Sequence, residues 1–186
     1  MGTLKTFVAT SAKDQAEGGG NTARKCKRLQ GEREMKRQEK YPETSTFHYF
    51  NANPHNRKSG DCVIRAICTA LEQSWEQTVM ELTEIGLKYG YVANDLKTVE
   101  KYLAQKGWTK HKQPRKADNT KYTGKEFCEL ISKRFEFFNK AVIANIGGLH
   151  MVCIKAENAI SNHKVYDIWD STGGCIGNYW VKGTIC

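Results

Sequence analysis

Gly60-Asp61-Cys62-Val63-Ile64-Arg65-Ala66-Ile67-Cys68-Thr69-Ala70-Leu71 has helical spacing, with Val63, Ile64, Ile67, Ala70 and Leu71 on one face. Asp61 stands where an N-cap belongs. The ten residues before it, NANPHNRKSG at 51–60, are turn-formers. The chain therefore enters a buried helix from a loop, and a cysteine opens the helix. A thiol in that place meets unpaired backbone N–H groups and the positive end of the helix dipole. Both favour the thiolate, which is the nucleophilic form. On position alone, however, Cys62 reads first as a small apolar packing residue.

Further helices follow downstream. Ser74 with Gln77 is a capping-box pattern opening a helix through Trp75, Val79, Leu82, Ile85 and Leu87, stopped at Gly90. Asn94 or Asp95 opens a third, with Leu96, Val99, Tyr102 and Leu103, ending at Gly107. A basic, polar linker is expected next. Thr123 with Glu126 opens a fourth helix carrying Phe127, Leu130, Ile131 and Phe135. The pattern then changes to short strand-like runs, 141–146, 150–154, 164–169 and 175–182, separated by Gly-rich or polar turns. Upstream, Phe47–Phe50 is a short extended stretch. The expected class is α+β, with an N-terminal helical part carrying the cysteine helix packed on a C-terminal antiparallel sheet.

Two further residues give Cys62 a chemistry. His150 follows Gly147-Gly148-Leu149 and opens a strand, so its imidazole can face a cleft as a base. The polar stretch 155–163 suits a hairpin. Centred near residue 160, that hairpin sets His150 opposite Asp170 and Cys153 opposite Asp167. Asp167 then points to the other face, and Asp170 is the expected orienter of the imidazole. A slip of one residue would undo this assignment, and Asp170, before Ser171-Thr172-Gly173-Gly174, also suits a simple turn. A cysteine on a helix start with a histidine and an aspartate on adjacent strand ends makes a nucleophile, base and orienter set.

At these residues the chain resembles papain-like cysteine peptidases. The segments Gly60–Ala66, Gly148–Val152 and Tyr166–Ser171 are similar to the three motifs of bacteriocin-leader-processing cysteine peptidases. They also resemble small bacterial and phage proteins that share the Asp-Cys-Val-Ile-Arg-Ala start. The resemblance spans about residues 47–182 and implies a papain-like fold. It also implies catalysis by Cys62, His150 and Asp170 on a peptide or isopeptide bond, through a thioester and with no metal or organic cofactor. The family's oxyanion-binding glutamine corresponds here to Asn56, which has the same donor on a shorter arm; Asn53 is a second candidate. The same triad serves deamidases, transglutaminases and acyltransferases, and a domain that has lost catalysis would bind a peptide or protein. Arg65 is expected to pair with a carboxylate, and Trp169 and Trp180 to be core or cleft aromatics.

Composition limits the alternatives. The chain of 186 residues suits one domain, expected at 46–186, preceded by a flexible basic tail at 1–45 with a short polar helix near 31–40. The seven cysteines form no CxxC pair, which argues against a structural zinc site and, weakly, for a reducing, cytoplasmic setting. No apolar run approaches a membrane span. The Met1-Gly2 start fits the bare myristoylation pattern. A net charge of +9 permits nucleic-acid binding through the tail and the lysines of 110–125 without establishing it.

Overall fold

The structure is a computed structural model that describes residues 35–57, 60–158 and 161–183. The elements below all lie in the compact unit Arg37–Cys186. The expected tail and the Met1-Gly2 pattern lie almost wholly outside the described residues, although residues 35–40 are helical. The order is β1 (Phe47–Tyr49), α1 (Cys62–Leu71), α2 (Trp75–Tyr89), α3 (Leu96–Gln105), β2 (Trp108–His111), α4 (Gly124–Ile131), a 3-10 turn (Phe135–Phe137), β3 (Val142–Ile146), β4 (His150–Lys155), β5 (Lys164–Asp167) and β6 (Ile176–Lys182).

The helices begin where their capping chemistry places them. The Ser74 hydroxyl accepts from the Gln77 N–H and the Asp95 carboxylate from the Lys97 N–H. Thr123 and Glu126 form a reciprocal capping box. The fold is mixed α+β, but the sheet differs from the expected antiparallel one. Its strand order is β1-β5-β4-β3-β6-β2. The other pairs are antiparallel, but β1 runs parallel to β5, with Phe47 opposite Val165. The stretch expected as a linker after Gly107 begins instead with β2, whose Trp108 and His111 pair with Lys182 and Tyr179 of β6.

Alternating strand residues separate two cores. Ile143, Met151 and Trp180 pack with Val63, Ile67, Leu82, Val99 and Leu103 of α1–α3. Val142, Ala144, Ile146, Val152 and Ile154 point the other way and meet Phe127, Cys128, Ile131 and Phe137. Covering both faces explains why β3 and β4 are apolar almost throughout. Each fully buried aliphatic side chain in these layers contributes about 1.5–3 kcal/mol. The sandwich holds the N-terminus of α1 near the end of the sheet where β4 begins.

Candidate active site

Cys62 is the first residue of α1 and is half-buried. Asp61 occupies the N-cap position, but its side chain makes no cap hydrogen bond. It is buried and turned aside to three partners. One oxygen pairs with the Arg65 guanidinium, and the other accepts from Asn53 Nδ2 at 2.7 Å and Trp75 Nε1 at 3.1 Å. The entry loop, the cysteine helix and α2 are thereby tied to one carboxylate. Asp61 leaves the first N–H groups of α1 uncapped by its own side chain, beside the sulfur of Cys62. Arg65 meets a carboxylate, as its spacing predicts.

His150 opens β4. Its Nε2 lies 2.6 Å from Asp167 Oδ2, which also accepts from Ser171 Oγ at 2.9 Å, while Asp167 Oδ1 accepts from the Ile168 N–H at 2.8 Å. Asp167 and not Asp170 is therefore set against the imidazole. The reason is register. Cys153 lies opposite Tyr166 and Ile154 opposite Val165, one residue away from the expected hairpin, which paired Cys153 with Asp167. A one-residue shift moves every side chain of a strand to the other face, so Asp167 joins the face of Val152 and His150. Asp170 is exposed and turns back on its own loop, accepting from Thr172 N at 3.0 Å and Thr172 Oγ1 at 2.6 Å. It has the turn-forming role that its sequence context also allows.

With Nε2 held by Asp167, Nδ1 is the imidazole nitrogen left to face the Cys62 thiol, and the two groups shift each other's ionisation. Burial alone pushes the Cys62 thiol up. The His150 hydrogen bond, the Met151 backbone N–H and the charges of His150 and Arg65 together outweigh it and leave the thiol below its ordinary value. For His150, burial pushes down, but the hydrogen bonds and charges of Asp167 and Cys62 dominate and raise it to about 9. A depressed thiol beside a raised imidazole favours the thiolate–imidazolium pair over the neutral pair.

Protein-family models, curated proteins and solved structures give no match to this chain. The site therefore rests on its own geometry.

The two asparagines expected at an oxyanion hole are placed differently. Asn53 is buried and both ends of its amide are engaged, Nδ2 by Asp61 and Oδ1 by the His55 N–H at 2.9 Å, so its role is to hold the loop. Asn56 is exposed, with a left-handed backbone at φ 50°, and its Oδ1 faces Asn51 Nδ2 at 3.4 Å. That orientation leaves the Asn56 amino group as a donor.

Trp169 stacks on the His150 ring, with centroids 4.4 Å apart and planes 25° from parallel, and Trp180 is buried in the core. Two cavities, of about 720 and 450 Å³, lie toward the far end of α1, where both include Glu72 and Lys155, and neither is lined by Cys62 or His150. The thiol sits at the start of α1, outside both. Away from the site, Glu43, His48 and Glu157 each bring one ligand atom within 4.8 Å of the others. Lys164 Nζ already lies 2.5 Å from Glu43 and 3.5 Å from Glu157, so its ammonium supplies the positive charge that a metal would bring.

Sequence reasoning missed Asp167 because it depended on a hairpin centre. A signal was present nonetheless. Asp167 lies inside an apolar strand between Val165 and Ile168, where an aspartate needs a buried partner. Asp170 precedes a run of turn residues.

Proposed function

We propose that this chain is a cysteine-nucleophile hydrolase with a papain-like arrangement, acting on a peptide or isopeptide bond. The observation that carries the reading is one imidazole with a buried carboxylate on its Nε2, beside a helix-start thiol whose ionisation it favours. The Cys62 thiolate attacks the acyl carbon and the carbonyl π pair moves to oxygen. The C–N bond then breaks, and the His150 imidazolium gives its proton to the departing amine, leaving a thioester on Cys62. Water adds to the thioester with His150 taking its proton, the C–S bond breaks, and the acid leaves as the thiolate–imidazolium pair returns. Asp167 fixes the tautomer and stabilises the imidazolium throughout. The uncapped N–H groups of α1 and the Asn56 amide are the donors for the oxyanion.

The test is the alkylation rate of each cysteine by iodoacetamide against pH, read by mass spectrometry in wild type and His150→Ala. Cys62 is expected to react fastest, well below the usual thiol value of about 8.5, and to lose that advantage without His150. A Cys62 that reacts no faster than exposed Cys175 sinks the proposal.

A further inference from the structure

A second feature shares the active-site end of the sheet. Beyond His111, residues 112–122 turn back as a small hairpin bridged between Arg115 and Lys121, and the chain continues to a bridge between Thr123 and Cys175. The hairpin is tightly built. Asp118 accepts from Thr120 N and Oγ1, Asn119 takes the left-handed position at φ 66°, and Arg115 donates to Asn119 O at 2.8 Å. It is anchored by Gln113 Nε2 on Ile176 O at 2.6 Å and by Lys116 on Glu126 at 2.6 Å. Lys112, Arg115, Lys121 and, just beyond, Lys125 are exposed, and none forms an ion pair with a described carboxylate.

Its distance from the thiol chemistry follows from topology. Cys175 O accepts from Gly147 N on the β3 side, and Ile176 N donates to Tyr122 O on the other side. The hairpin therefore occupies the place of β2, three strand spacings from β4 and His150 in the order β4-β3-β6-β2. At about 4.8 Å per spacing that is roughly 14 Å, the reach of about four extended residues. Arg57 is exposed on the loop that leads into Cys62. The acidic groups nearby are spent or few. Glu126 is held by Lys116 and Asp118 by Thr120, which leaves Asp170 exposed beside the imidazole strand and Glu129 exposed one helix turn beyond Lys125.

We propose that the basic hairpin at residues 112–125 recognises acidic side chains of a polypeptide substrate about four residues from the bond that Cys62 attacks. The inference rests on the thiol-hydrolase reading above. Ammonium and guanidinium groups on a braced turn, at one end of the same sheet as the nucleophile, meet carboxylates without reordering. The positive field also raises the encounter rate of acidic chains.

The experiment uses two synthetic peptides, each with an iodoacetyl group on a central lysine. One carries glutamates on both sides of that lysine and the other glutamines, so either direction of binding is sampled. The rate of Cys62 labelling at low salt is expected to be about 10-fold or more higher for the glutamate peptide. The advantage should shrink as salt rises, and it should vanish in Arg115→Glu/Lys121→Glu, whose labelling by neutral iodoacetamide stays at the wild-type rate. Equal labelling by the two peptides, with Cys62 still fast toward iodoacetamide, overturns the acidic-substrate inference and leaves the thiol reading standing. Slow Cys62 with iodoacetamide in wild type overturns both. A thymidine oligonucleotide that binds the wild type but not the double variant, while the two peptides stay equal, assigns the hairpin to nucleic acid and also overturns the inference.

Discussion

Replacing Asp167 by asparagine should separate the roles of the two aspartates. Asp167 is buried, accepts from His150 at 2.6 Å, and gives its remaining lone pairs to Ser171 and the Ile168 N–H. Asparagine keeps the shape and removes the charge. A hydrogen bond to a buried charge contributes about 1.5–3 kcal/mol, and about 1.4 kcal/mol is one pKa unit. The His150 imidazolium, raised to about 9 in the native chain, should therefore drop by about one to two units. The sign for Cys62 follows. Its depressed value depends on the charge and hydrogen bond of His150, so it moves up as His150 moves down. At pH 6 the variant's imidazole is still protonated and the alkylation rate should change little. Near pH 8, where the variant's ring is largely neutral and the native one is not, Cys62 loses its neighbouring charge and the rate should fall severalfold, up to about 10-fold. An asparagine amino group turned toward Nε2 would also put the ring proton on Nδ1, facing the sulfur, where the ring can no longer accept. Asp170→Asn keeps an acceptor for Thr172 and should stay within about twofold of wild type. The assay is the same iodoacetamide pH series. If Asp170→Asn suppresses Cys62 and Asp167→Asn does not, the argument from register and burial is wrong.

Trp169 covers the imidazole, and an aromatic pair of this kind contributes about 0.5–1.5 kcal/mol. Trp169→Ala should lower Cys62 alkylation at pH 6 by about 2- to 10-fold, with Trp169→Phe recovering most of it; equal rates for all three chains would show that the stack does not hold the ring. Arg65→Ala leaves the buried Asp61 carboxylate without its counter-charge and should destabilise the fold by about 3–5 kcal/mol, read as the denaturant midpoint, whereas Arg65→Lys should lose less.

Much of this architecture is legible in the residues because local chemistry sets it. The apolar stripe of 63–71, the hydroxyl and carboxyl caps at Ser74, Asp95 and Thr123, and the Gly90 stop each act within a few residues of chain. The cysteine and the histidine were also marked locally, one by a helix start and the other by a glycine turn. What escaped depends on partners distant in the chain. Trp108–His111 is too short and too basic to read as a strand until β6 lies beside it. The parallel pairing of Phe47 with Val165 has no local signal. The choice between Asp167 and Asp170 turned on a single residue of register, set by where the β4–β5 connection turns.

The union of β1 with β5 bears on when the thiol becomes dangerous to its surroundings. Phe50 N, at the start of the loop that leads to Cys62, donates to the carbonyl of Asp167 at 2.9 Å. The first strand thus waits for one of the last to emerge, and a long loop must close before that contact forms. During synthesis, a nascent chain that stops short of β4 carries its cysteine without an imidazole. The activation of Cys62 then arrives only once β4 and β5 have followed, so a product truncated before them carries the thiol without its imidazole and carboxylate.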